Sequence, residues 1–169
     1  MGSDSWVSKG TSRAVDVTPP TIYTLGTSTR SLQEFVELLD SYAILGVVDV
    51  RRFPTSRHNH FRRENLEPGL EARVIKYVYL GDDLGGYRKG GYETHMASHA
   101  FNRGIEALVS LAKERSTVLI CAERLPWKCH RRFIGSMLQQ KGWPVVHLIE
   151  KDRIWTDKHN RKEGQGRSQ

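Results

Sequence analysis

Five short apolar runs recur along this chain, and stretches of helical spacing separate most of them. TIYTLG at 21–26 reads as a short buried strand that Gly26 stops. In SLQEFVELLDSY at 31–42, Leu32, Phe35, Val36, Leu38 and Leu39 keep to one face of a 3.6-residue repeat, and Ser31 can cap the helix. ILGVVDV at 44–50 stays apolar until Asp49, the pattern of a strand covered on both faces. RRFPTSRHNHFRRENLEPGL, from Arg51, then breaks every periodicity. VIKYVYL at 74–80 is the next strand, and GDDLGGYRKGGYETH at 81–95 is a glycine-rich loop. FNRGIEALVSLAKE at 101–114 predicts a helix with Ile105, Leu108, Val109 and Leu111 inward. STVLICAE at 116–123 reads as a strand, HRRFIGSMLQQKG at 130–142 as a helix ended by Gly142, and PVVHLIE at 144–150 as the last strand.

Strand, helix, strand within thirty residues is a βαβ unit, which requires parallel neighbours. The expected fold is therefore α/β: a single open, mostly parallel sheet of about five strands with helices on both faces. The domain would span 21–150, between a polar leader over 1–20 that ends at Pro19-Pro20 and a basic polar tail over 151–169. Within that tail only Ile154 and Trp155 invite attachment.

Composition adds a partner to this picture. Lys plus Arg number 26 against 19 Asp plus Glu, a formal net charge of +7. That excess suits a polyanion, nucleic acid first, with DNA favoured over RNA. A chain of 169 residues buries enough core to fold without disulfides, and its two cysteines are too few for a disulfide scaffold. The leader has no apolar signal region, and Trp6 stands where a myristoylation signal needs Ser or Thr. No stretch is long and apolar enough to span a bilayer. These features predict an intracellular, cytoplasmic protein that does not use a membrane.

In open parallel sheets, ligands bind beyond the carboxyl ends of the strands. Here those ends read Leu25-Gly26-Thr27-Ser28, Asp49-Val50-Arg51, Leu80-Gly81-Asp82-Asp83 and Cys121-Ala122-Glu123. Cys129, His130 and Arg131 would open the helix that follows Cys121, so both thiols frame one edge. Asp49 and Glu123 form a carboxylate pair suited to acid/base work or to stabilising a sugar cation. Against that, Asp49 could simply pair with Arg51 or Arg131. His130 is a candidate proton carrier. Cys121, ending an apolar strand, has the setting of a buried small hydrophobe; Cys129, beside His130 and Arg131 at a helix start, is the better candidate for thiolate character. Neither a Cys-x-x-Cys pair nor a GxGxxG or Walker motif occurs, so neither a metal nor a nucleotide cofactor is expected. Residues 51–63 hold five arginines, two histidines and two phenylalanines without an acid. Arginines grip phosphates bidentately and phenylalanine stacks bases, so Arg52, Arg57, His58, His60, Phe61, Arg62, Arg63 and, from the later loop, Lys128 are the expected nucleic-acid contacts. The glycine-rich loop would serve as a lid.

Taken in order, TLGTSTRSLQEF, VVDVRRFPTSR, YVYLGDDLGG and CAERLPWKCHR resemble the uncharacterised family named domain of unknown function 488, over about Ile22 to Glu150. The resemblance implies that the Asp-Val-Arg, Leu-Gly-Gly and Cys-x-Glu…Cys-His-Arg elements act together. A weaker resemblance, VVDVR followed by VLIC and an arginine-bearing helix start, is to rhodanese domains and their phosphatase relatives. The phosphatase spacing fails, because Pro126 and Trp127 stand where the loop needs its arginine.

The expected function is a nucleic-acid-processing enzyme, acting in DNA repair or base removal by N-glycosidic bond hydrolysis. Asp49, Glu123, His130, Arg51, Arg131, Cys121 and Cys129 form its reactive edge. The alternatives are a rhodanese- or phosphatase-like thiol enzyme and a non-catalytic nucleic-acid-binding module.

Overall fold

The computed structural model describes residues 19–156; nearly all of the expected leader, and residues 157–169 of the expected tail, lie outside the described residues. β1 (Ile22–Gly26), β2 (Gly46–Asp49), β3 (Lys76–Tyr79), β4 (Thr117–Cys121), β5 (Val145–Glu150) and β6 (Arg153–Trp155) form one six-stranded sheet in the order β3-β2-β4-β1-β5-β6. The first five are mutually parallel, as the βαβ pattern requires, and β6 returns antiparallel to β5. The α/β expectation holds, with one strand more than expected. β6 comes from the tail, where Ile154 pairs Leu148 and the Trp155 ring sits 5.3 Å from Trp127 and 5.2 Å from His147.

Helices cover both faces. α1 (Leu32–Ser41) and α2 (Arg63–Ala72) pack on one, α5 (His99–Glu114) and α6 (Arg131–Gln140) on the other; α3 (Gly81–Leu84) and α4 (Tyr92–His95) are single turns in the glycine-rich segment. Ser31 caps α1, accepting from the Glu34 backbone N–H at 3.0 Å, as its position predicted. The residue alternation of the strands sorts the core. Leu25, Val47, Val118 and Ile120 face Phe35, Leu39, Leu66 and Leu70, while Val48, Leu119 and Cys121 face Phe101, Leu108, Ile134 and Leu138. α2 arises where the sequence pattern looked broken. Its buried positions are only Leu66 and Leu70, and Pro68 lies inside it, so the amphipathic signal is short and interrupted. Among the described residues no helix is long and apolar enough to cross a membrane.

This topology creates a switch point. The chain leaves β2 toward β3 at one edge of the sheet, and leaves β4 toward β5 on the other side, although β2 and β4 are neighbours. The two connections therefore diverge above the carboxyl ends of β2 and β4, where open α/β sheets leave a crevice.

Candidate active site

A cleft of about 640 Å³ occupies that crevice. Its walls are Arg51, Arg52, Phe53 and Thr55 after β2; Gly86, Tyr87, Arg88 and Tyr92 from the glycine-rich segment; and Cys121, Ala122, Glu123, Lys128, Cys129 and His130 after β4. Three of the sequence motifs thus meet at one place. The fourth fixes it: the backbone N–H groups of Thr27 and Ser28 donate to the carbonyls of Cys121 (2.8 Å) and Ala122 (2.9 Å). Gly26 lets this happen, because a Cβ there would collide with the Glu123 carbonyl. Gly86 plays the same part for His130, whose Nδ1 lies 3.1 Å from where a Cβ would stand. These glycines bring chain segments together around the site.

Both thiols are free, and their sulfurs lie 2.8 Å apart. Cys121 is buried against the sheet and Cys129 is half-buried at the cleft wall. Arg131 lies behind them, fully buried; its Nη2 donates to the Arg124 carbonyl at 2.8 Å, its Nη1 reaches the Cys121 sulfur at 3.6 Å, and its Nε has no partner. Among the described residues no carboxylate pairs with Arg131. A buried guanidinium needs a nearby anion, and Cys121 is the acid it touches. Burial pushes the Cys121 thiol up, but the hydrogen bond from Cys129 and the Arg131 charge outweigh it and bring it down to about 7. Cys129 moves up, because it keeps its proton to donate to Cys121 and is itself buried. The helix start favours Cys129, whose sulfur accepts from the Arg131 backbone N–H at 3.4 Å, while the Arg131 guanidinium reaches past it to Cys121.

His130 lies between the Cys129 sulfur, 3.7 Å from its Nδ1, and the Tyr92 ring at 5.2 Å. Burial drives its pKa down from 6.5 to about 4, against the Val50 backbone and with help from Arg131 and Arg88, so it is a neutral imidazole at neutral pH. Stability conferred by keeping it neutral is complete above pH 6.5 and is lost as the pH falls toward 4, where the unfolded chain binds a proton that the folded chain refuses. Unfolding free energy should therefore drop by about 2–3 kcal/mol between pH 7 and pH 4.5 on this account alone. His130→Asn should lose that part of the slope in urea titrations; an unchanged slope would show that His130 titrates normally. Glu123 is exposed at the cleft wall and enters no ion pair among the described residues.

Asp49 does not join them. It is fully buried, and its carboxylate accepts from Arg51 Nε at 2.8 Å, Arg51 Nη2 at 2.7 Å, the Arg51 backbone N–H at 3.1 Å and the Tyr77 hydroxyl. The register explains this. Asp49 pairs with Ile120 and so shares the face of Leu25 and Tyr77, whereas Cys121, one residue on, faces the opposite side. Arg51 also donates to the Phe61 carbonyl at 2.8 Å, so the buried pair anchors the segment after β2. Asp49 and Glu123 therefore do not form a carboxylate pair across the cleft.

The arginine-rich segment divides in the same way. Arg52, with Lys128, reaches the cleft. Phe61 is a core residue, edge-on to Phe35 at 5.1 Å, which corrects its assignment as a base-stacking ring. His60 bonds the Arg30 carbonyl at 3.0 Å, and Arg62 Nε donates to the Ser56 carbonyl at 2.9 Å. Arg63 pairs with Glu67 and covers the Tyr79 ring at 4.7 Å. With Arg57 and His58 these side chains lie outside the cleft lining.

Other residues stand where those were expected. Phe53 (62 % exposed) and Tyr87 (86 % exposed) flank the mouth with ring centroids 6.1 Å apart. Tyr87 is held at φ +60°, a left-handed conformation costing about 1 kcal/mol for a side chain of this kind. The Arg52 side chain donates to its carbonyl at 3.0 Å, and Arg88 is braced by the Gly85 carbonyl at 2.8 Å. Burial lowers the pKa of Arg88, and neighbouring Arg52 lowers it further. Arg52, Arg88 and Lys128 have no carboxylate within ion-pair distance among the described residues. Tyr87 and Arg88 carried one signal in the sequence, their position in a glycine-rich loop after a strand. Among the described residues no three His, Cys, Asp or Glu side chains converge as metal ligands.

A search of curated proteins finds no match. The profile of the family described as "Domain of unknown function DUF488" matches residues 31–138, which include α1, the Asp-Val-Arg strand end, the glycine-rich segment and the whole Cys-x-Glu…Cys-His-Arg loop. The chain therefore belongs to the DUF488 family.

Proposed function

We propose that the cleft is the active site of a nucleic-acid-processing enzyme whose nucleophile is the Cys121 thiolate. One observation carries this reading: Arg131, fully buried and without a carboxylate partner among the described residues, sets its Nη1 3.6 Å from the Cys121 sulfur on the wall of an open cleft, and its charge with the Cys129 S–H lowers the pKa of that thiol. Cys121 attacks an electrophilic centre of the bound substrate, beside His130, which burial keeps neutral on the same cleft wall. Arg52, Arg88 and Lys128 supply positive charge without a carboxylate partner among the described residues, and Phe53 and Tyr87 offer ring faces to a base. A phosphatase-like use of Cys121 is not supported, since its sulfur points to the Glu123 carbonyl (3.6 Å) and accepts from no backbone N–H among the described residues.

A second reading keeps base removal by N-glycosidic hydrolysis, with Glu123 as the carboxylate among the described residues that line the cleft. The exposed, unpaired position of Glu123 on the cleft wall favours it.

Substrate class is tested by binding of a short single-stranded oligodeoxynucleotide, followed by fluorescence anisotropy over a salt series. Arg52→Ala, Arg88→Ala and Lys128→Ala should each reduce the slope of log K against log salt by about 0.7, while Arg57→Ala and Arg62→Ala leave it nearly unchanged. The bound oligonucleotide should also slow alkylation of Cys121 by iodoacetamide. Binding that leaves alkylation untouched, or a slope that follows Arg57 and Arg62, would move the nucleic-acid site away from this cleft.

A further inference from the structure

We propose that Cys121 and Cys129 are a reversible oxidation site: a hydroperoxide entering the cleft is reduced by Cys121, and Cys129 then closes an intramolecular disulfide. The geometry is already assembled. The sulfurs lie 2.8 Å apart, so reaching a disulfide bond length of about 2.05 Å takes less than an ångström of side-chain movement. Both residues line the cleft, which gives a small oxidant access. Cys121 ends β4, and Cys129 is the first residue after a 3-10 turn (Pro126–Lys128), in the short connection that leads into α6.

The chemistry balances. The Cys121 thiolate attacks the distal oxygen of the hydroperoxide, the O–O bond breaks, and the alcohol leaves with a proton from solvent, giving a sulfenic acid on Cys121. The Cys129 sulfur attacks the Cys121 sulfur, the S–O bond breaks, and the hydroxide leaves as water with the Cys129 proton. Two thiols lose two electrons and one hydroperoxide gains them.

Arg131 sets the direction of the equilibrium. Oxidation removes the thiolate, leaving the buried guanidinium without its anion. A cation that stabilises the reduced form makes the disulfide easier to reopen, so glutathione should suffice to do so. The proposal depends on the two sulfurs alone and stands whatever the substrate of the cleft.

The test needs no substrate. Wild-type protein treated with one equivalent of hydrogen peroxide should lose both free thiols, form no crosslink between chains, yield a peptide pair joining Cys121 to Cys129 in mass spectrometry, and recover both thiols in glutathione. Cys129→Ser should instead halt at a Cys121 sulfenic acid that dimedone traps. Three results would overturn the proposal: a Cys121 sulfinic acid with Cys129 still free in the wild type, a disulfide between two chains, or unchanged thiol content. Failure here leaves the nucleic-acid reading intact, because that reading is judged by oligonucleotide binding.

Discussion

Cys121→Ser should lower turnover by at least about 10³-fold, because the hydroxyl that replaces the thiol cannot ionise near neutral pH. The wild-type rate should rise as the pH climbs through about 7 and then level off, following the fraction of Cys121 present as thiolate. Iodoacetamide should report the same titration in the absence of any substrate, with one fast-reacting thiol that Cys121→Ser removes. The Glu123→Gln variant separates the two chemistries. It keeps shape and removes charge, so in a thiol enzyme it should cost far less than the loss of Cys121. Silence in Glu123→Gln with robust turnover in a folded Cys121→Ser protein would replace the thiol mechanism with carboxylate-assisted base removal.

Asp49→Asn should destabilise the fold by about 3–5 kcal/mol, the usual cost of leaving one member of a buried ion pair behind. Arg51 would keep its charge with only the Phe61 carbonyl as firm partner, and the Tyr77 hydroxyl would lose its acceptor. Burial, followed by the Asp49 charge and hydrogen bond, holds Tyr77 protonated far above its ordinary range, so this hydroxyl cannot substitute as an anion. Urea unfolding of the single variants and of Asp49→Ala with Arg51→Ala should show strong coupling, the double change costing clearly less than the sum of the two. Additive effects would show that the pair contributes little. The cleft thiols lie on the other face of the sheet, so folded Asp49→Asn protein should retain the Cys121 alkylation rate; a large loss would return Asp49 to the reactive edge.

The order of elements was legible in the sequence because apolar period and apolar run length are local signals. TIYTLG, ILGVVDV, VIKYVYL, STVLICAE and PVVHLIE each became a strand, trimmed by a residue or more at their ends. The same order located the site, since parallel strands expose their carboxyl ends together. β6 and α2 escaped for a common reason. Three strand residues, or a ten-residue helix interrupted by Pro68, carry too little pattern of their own and form because Leu148, Tyr77 and Phe35 give them something to cover.

What the sequence by itself determined is therefore the fold class, the carboxyl-end site and the company of Cys121, Glu123, Cys129 and His130 within it. Only the tertiary structure decided how that company divides. Strand register put Asp49 beneath the sheet and Cys121 above it, although both end neighbouring strands. The reach of Arg131 across its own helix start set the guanidinium against Cys121, eight residues before Cys129 in the chain. Packing drew Phe61 inward, laid Arg63 over the Tyr79 ring and left Phe53 and Tyr87 at the mouth. Alternation assigns a side chain to a face only while the strand lasts. Beyond its end, neighbours distant in sequence set where each side chain points, and a one-dimensional pattern carries no record of them.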